Sequence, residues 1–204
     1  VLQEMGEAPV LRDLYLSFSN GWKFNRQQLA LLQMLTIWRE GAARIHNIPR
    51  TFVLKNHTLL DIVERRPHTL PALSRIQDLH PRTYQKHGAM ILQLVKQAED
   101  KPLAQCPSLL PLPLPRAAKP LYDRLRQVSE SVAAHYHIPA EVLLRKKWLD
   151  ALVLGYVDHG EGAPLPAALS GWRHDILTRP LLEVLADESA SVATWRRYRH
   201  REES

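Results

Sequence analysis

The chain repeats a stretch of itself. Residues 46–63 read HNIPRTFVLKNHTLLDIV and residues 136–153 read YHIPAEVLLRKKWLDALV. At a constant offset of 90, Ile48-Pro49 falls on Ile138-Pro139, and Phe52-Val53-Leu54 falls on Val142-Leu143-Leu144. Lys55 falls on Arg145, Leu59 on Leu149 and Ile62-Val63 on Leu152-Val153. That offset exceeds the roughly 20–50 residues of a solenoid unit and matches a small domain. The repeat therefore predicts two tandem copies of one compact helical domain within 204 residues.

The periodicity in each copy is helical. Asn25-Arg26-Gln27-Gln28 has the capping-box pattern, in which the Asn side chain accepts from the backbone and Gln28 reaches back. Behind it Leu31, Leu35, Trp38, Ala42 and Ile45 form one apolar stripe. The helix is expected to stop before Ile48-Pro49, because proline lacks an amide donor and restricts the residue ahead of it. Phe52-Val53-Leu54 reads as an inserting apolar turn, followed by a helix near 56–65 that Arg66-Pro67 ends. A short helix opens at Thr69 or Leu70, with Leu70, Leu73 and Ile76 inward. Pro81 suits the first turn of the last helix of this copy. The second copy repeats the plan, with a helix near 117–137, the break at Ile138-Pro139, a second helix from Glu141 to Tyr156, and a last helix broken or kinked at Pro180.

The fold class is thus all-α, with two small helical bundles in series. The boundaries are 1–20 as a lead-in, 21–101 as the first domain, 102–120 as a linker, 121–190 as the second domain and 191–204 as a basic tail expected to fray. Six prolines among residues 102–120 make that stretch a stiff spacer of polyproline character. At 45% hydrophobic and 24% charged the chain carries enough apolar material for a core and is not a disordered sequence. No apolar run approaches the ~18 residues of a membrane helix, so no membrane partner is expected. Residue 1 is Val and the first Met is Met5, so the sequence is expected to be a piece of a longer chain. The one cysteine, Cys106, has no internal partner, which fits a reducing, cytoplasmic setting.

Charge separates the two copies. Residues 21–101 hold 13 basic and 6 acidic groups, whereas residues 102–190 hold 9 and 10. The first copy is a basic domain, and a concentrated positive field points to a polyanionic partner. The alternative is a solvated surface with an excess of Lys and Arg.

Catalytic signatures are missing. Metal-dependent nucleases hold divalent ions in carboxylate clusters, and the sequence has no Asp-x-Glu triplet. It has no His-x-x-x-His spacing for zinc and no phosphate-binding glycine loop. This chain alone is therefore expected to be no enzyme, with no catalytic residue, metal ligand or cofactor of its own. Nucleic-acid contact would instead fall to cations after each Ile-Pro turn. The candidates are Arg50 and Lys55 in the first copy, and Arg145, Lys146 and Lys147 beside Trp148 in the second. Arg82 and Lys86, four apart, share a helix face. Arg65 and Arg66 join them, although positive charge at a helix end also suits the helix dipole. Trp38 and Trp172 read as core residues, not stacking platforms.

Residues 27–76 resemble the helicase-and-ribonuclease-D C-terminal (HRDC) family. The resemblance rests on Leu29, Leu32, Trp38, Arg39, Ala43, Pro49, Phe52, Leu59, Pro67, Leu70 and Leu73, with Gly88 further on. The second copy has Val128-Ser129 where Trp38-Arg39 stand, and is read as a diverged HRDC domain. A tandem pair of this kind resembles the C-terminal region of the bacterial ribonuclease D family. That resemblance implies an RNA-positioning role in a 3′–5′ exoribonuclease that trims tRNA precursors and other structured RNA with 3′ tails. It also implies an upstream exonuclease domain holding magnesium or manganese. The competing readings are a protein–protein or interdomain docking module, and the HRDC region of a RecQ-like helicase.

Overall fold

The structure is a computed structural model that describes residues 11–201; the first half of the expected lead-in, residues 1–10, lies outside them. Among the described residues every regular element is helical. The chain divides into two units, at Leu110 and Pro111.

In the first unit, helix α1 spans Arg26–His46. Its start is the expected capping box: Asn25 accepts from the Gln28 backbone and the Gln28 side chain accepts from the Asn25 backbone. Leu29, Leu31, Leu32 and Leu35 are buried along its length. A short helix α2, Arg50–Val53, and a helix α3, Asn56–Arg65, follow. The one-turn helix α4, Leu70–Leu73, is capped by the Thr69 side chain, and α5 spans Pro81–Glu99. Leu59, Ile62, Leu73, Ile91 and Val95 close the core against α1. A β-carbon on Gly88 would stand 3.1 Å from Leu70 Cδ2, so glycine lets α4 lie close on α5.

Three side chains depart from the expected inward pattern. Ile45 is 80% exposed, Phe52 75% and Leu70 44%. The last turn of α1 runs past the end of the core, so its stripe finishes at Ala42 and Ala43. In the apolar turn only Val53 and Leu54 insert, and Phe52 faces out.

In the second unit, α6 spans Lys119–Tyr136, α7 Ala140–Leu143 and α8 Lys146–His159. A 3₁₀ turn at Ala167–Leu169 leads to a π-helical turn at His174–Thr178, then α9, Arg179–Asp187, and α10, Ser189–His200. Pro180 is the second residue of α9 and directly follows the π-helical turn. Leu125, Leu143, Val153, Leu169, Leu177 and Leu181 form the core.

Three expectations for the later part of the chain are corrected. The expected basic tail, 191–204, is not frayed within the described residues: those up to His200 belong to α10, which buries Val192, Trp195 and Arg199, and residues 202–204 lie outside the described range. Trp172 is not a core residue but is 52% exposed. Nor is 102–120 a free spacer. Its first part is bound into the first unit, where Arg26 donates to the carbonyls of Cys106 (3.0 Å) and Pro107 (3.1 Å) and Cys106 is buried. Its later part belongs to the second unit, where the Leu112 amide donates to the Arg199 carbonyl at 2.9 Å. Proline-rich sequence removes backbone donors, and here neighbouring arginines satisfy carbonyls that remain.

Candidate nucleic-acid interface

The repeated stretch folds into a repeated backbone motif. Asn47 ends α1 in the left-handed conformation (φ 48°), and His137 ends α6 the same way (φ 55°). The Ile48 amide then donates to the Ala43 carbonyl, and the Ile138 amide to the Ala133 carbonyl, each at 3.0 Å. This closure stops the helix, and the proline after it starts a one-turn helix. The motif turns the chain sharply and leaves the Ile-Pro corner on the surface.

In the first unit three elements meet at that corner. Thr83, in the first turn of α5, donates from Oγ1 to the Val53 carbonyl at 2.9 Å and so fixes α5 beside α2. One turn later Lys86 Nζ lies 2.9 Å from His46 Nε2 at the end of α1. Trp38 and His87 stack edge-on at 5.3 Å between the same two helices. Arg44 and Arg50 both approach Glu40, at 3.3 and 3.9 Å. The result is an open groove lined by Arg44, Asn47, Ile48, Pro49 and Arg50. Arg44 and Arg50 line this groove and share the acidic side chain of Glu40, whereas Lys86 lies beside it against His46. Arg82 is exposed one helical turn before Lys86.

Below the corner is Arg39, which is buried. Its Nη1 donates to the Leu54 carbonyl (3.0 Å) and to Asn56 Oδ1 (2.8 Å), tying α1 to the junction of α2 and α3. Its guanidinium also lies 5.8 Å from the Phe18 ring centroid. Burial first, and then the charge of Arg50, lower its pKa from the ordinary arginine value.

The sequence-derived candidates therefore separate. Arg50 opens α2 at the groove, Lys86 meets His46 at the end of α1 with Arg82 exposed one turn before it, and Lys55 is exposed at the start of α3. Arg65 and Arg66 do not join them. They sit at the far end of α3, where Arg65 pairs with Asp61 at 2.6 Å and Arg66 with Glu99 at 3.8 Å. Arg145, Lys146 and Lys147 open α8 in the second unit, with the Arg145 guanidinium 5.2 Å from the Trp148 ring. Sequence reasoning missed Arg44, His46 and His87. For Arg44 and His46 the signal was the basic last turn of α1, which the Leu-rich stripe overshadowed.

His87 supplies a pH prediction. Burial, then the charges of Lys86 and His46, lower its pKa from the ordinary 6.5. The unfolded chain then takes up this proton at a higher pH than the folded chain. The stability of the first unit is expected to fall as pH drops below about 6.5, until the folded value is passed. Urea denaturation between pH 7.5 and 5.5 checks this. His87→Gln should flatten the decline, and an equal decline in both proteins would exclude His87 as its source.

Residues 28–95 match the HRDC domain family. The HRDC segment runs from the first turn of α1 into the last half of α5, so it contains the whole corner. One such domain is matched, which overturns the expectation of two tandem HRDC copies. The physical reason lies in the packing. Ser129 occupies the position of Arg39, and the second unit ends in a π turn and two helices where the HRDC segment has one long α5. Its α7 is held from elsewhere: Arg173 donates to the carbonyls of Leu143 (3.2 Å) and Val142 (3.0 Å).

Along its length the chain is similar to ribonuclease D proteins. It is 37% identical over 174 residues to ribonuclease D of Pseudomonas paraeruginosa, covering 85% of this chain and 46% of that protein. It is 26% identical over 179 residues to ribonuclease D of Escherichia coli, covering 86% and 47%. The crystal structure of E. coli RNase D, an exoribonuclease involved in structured RNA processing, superposes with a TM-score of 0.78 at 25% identity. It covers 87% of this chain and 47% of that one. The chain spans about half the length of the curated relatives it matches and aligns with their C-terminal region. Among the described residues no group of three or more His, Cys, Asp or Glu side chains is placed to hold a metal ion. No helix among them is long and apolar enough to cross a membrane.

Proposed function

We propose that this chain is the RNA-positioning part of a ribonuclease D-like protein, and that the corner of its HRDC segment contacts phosphates. The observation that carries this is the placement of two cations from different elements beside the Ile-Pro turn, Arg50 at the start of α2 and Lys86 against His46 at the end of α1, with Arg82 one helical turn from Lys86. Cations gathered at a corner in this way neutralise a flexible polyanion without a preformed pocket. Hydrolysis falls to the remainder of such a protein. Its 3′–5′ exonuclease portion would hold the divalent ion, magnesium or manganese. Its substrates would be tRNA precursors and other structured RNA with 3′ tails in the cytoplasm. This chain would bind the body of the RNA and align the 3′ end.

A second reading is docking onto a protein partner, the exonuclease portion included. It is favoured by the exposure of Ile45 and Phe52 next to the cations. Salt separates the two. A tRNA-like hairpin with a 3′ tail should bind the chain in a steeply salt-sensitive way, and Arg50, Lys55, Arg82 and Lys86 changed together to Gln should weaken it ten-fold or more. The slope of log affinity against log salt should become shallower by about 0.7 for each single-strand phosphate that is no longer neutralised. Hairpin binding that ignores the four substitutions would sink the corner assignment. Salt-independent capture of a separately supplied exonuclease domain would favour docking.

A further inference from the structure

The second unit carries an arrangement that phosphate binding at the corner does not use. Arg173 Cζ lies 4.1 Å from the ring centroid of Trp172 and 5.2 Å from that of Trp148. Arg145 Cζ lies 5.2 Å from Trp148 as well. Guanidinium and indole groups thus alternate as Arg145, Trp148, Arg173 and Trp172. The inner members are fixed, since Trp148 is half-buried against the core and Arg173 is held by the Val142 and Leu143 carbonyls. Trp172 ends the series. It follows Gly171, whose φ of 64° turns the chain at that point, and it remains half exposed.

A tryptophan held on a fixed guanidinium and open to solvent is a rigid aromatic platform. Its surroundings favour an anionic occupant. Arg145, Lys146, Lys147 and Arg173 outnumber Glu141 and Asp175 in the adjoining segments. Lys146 and Lys147 also stand in the first turn of α8, where positive charge opposes the helix dipole and so does not serve the helix itself. Planar, apolar and anionic together describe one nucleotide of a single strand: its base stacks and its phosphates meet the lysines.

We propose that Trp172 is a stacking platform for an unpaired base of single-stranded RNA, with Arg173 as the positioning residue behind it. This rests on the RNA-positioning reading above, but concerns a different surface and a different part of the nucleotide.

The test uses the full chain and a single-stranded RNA 12-mer containing 2-aminopurine, whose fluorescence falls on stacking. Its controls are an abasic strand of equal length and a blunt RNA duplex. Trp172→Ala is expected to weaken the 12-mer about ten-fold and to remove the quenching, with the salt slope unchanged. Trp172→Phe should retain both. Circular dichroism confirms that each variant folds. Equal binding of the abasic and base-bearing strands, or unaltered binding by Trp172→Ala, would overturn the platform while leaving the corner assignment intact. Loss of single-strand binding in the Gln variant of the corner, with quenching by Trp172 preserved at high RNA, would uphold the platform and separate the two surfaces. A chain that binds none of the three nucleic acids would overturn both.

Discussion

Replacing Arg199 by Ala lowers the stability of the second unit by about 3–5 kcal/mol, the cost of breaking a buried ion pair from one side. The side chain is 7% exposed and grips Asp158 with two parallel bonds, Nε to Oδ1 at 2.8 Å and Nη2 to Oδ2 at 2.9 Å. Its Nη1 donates to the Leu112 carbonyl, and its own carbonyl accepts from the Leu112 amide. The variant would leave Asp158 with His200 as its remaining side-chain partner and the Leu112 carbonyl without the guanidinium donor. The double change Arg199→Met with Asp158→Leu should cost less than Arg199→Ala, because it removes both charges together. Hydrogen exchange resolved by peptide, on the full chain, locates the loss in the second unit. A loss below about 1 kcal/mol, the range of exposed pairs, would show that the pair is not buried in solution. Burial by itself would push the Asp158 carboxyl up. The bonds and charges of Arg199 and His200 outweigh it and hold the carboxyl below its usual value. A depressed carboxylate contributes stability above its unfolded pKa and loses it as pH falls through the folded one. The contribution is therefore intact at neutral pH and disappears only below about pH 4.

Replacing Arg39 by Ala destabilises the first unit by about 3 kcal/mol, since two hydrogen bonds from a charged donor are lost along with packing on Phe18. The consequence for function is larger than for most core changes. Arg39 joins α1 to the Leu54 carbonyl and to Asn56, so it seats α2 and the start of α3. Without it Arg50 and Lys55 lose their fixed position relative to Lys86. Affinity for the 3′-tailed hairpin should then fall although no phosphate-binding cation has been removed. Leu59→Ala, also in the core, should cost about 2–5 kcal/mol without moving α2. RNA affinity that fell equally for both variants, measured where each remains folded, would remove the positioning role of Arg39.

The helical class, the capping box, the stop at each Ile-Pro and the bounds of α3 were all legible in the amino-acid order. These depend on signals within a few residues: a side chain that caps a backbone amide, a proline that cannot donate, a stripe of leucines. The excess of positive charge in the first unit was legible too, because charge is a compositional property. Packing between elements settled the rest. Whether a hydrophobic residue is inside depends on where the neighbouring element ends. Phe52 and Trp172 therefore face solvent despite their type, whereas Arg199, from a stretch that reads as a polar tail, is buried on Asp158. The repeat at an offset of 90 predicted a shared corner, and the corner is shared. It did not make the second unit a second HRDC domain. A few residues suffice to build a turn, but a domain is defined by what packs across it. There Arg39 and Thr83 hold the corner of one unit, and Arg173 holds that of the other.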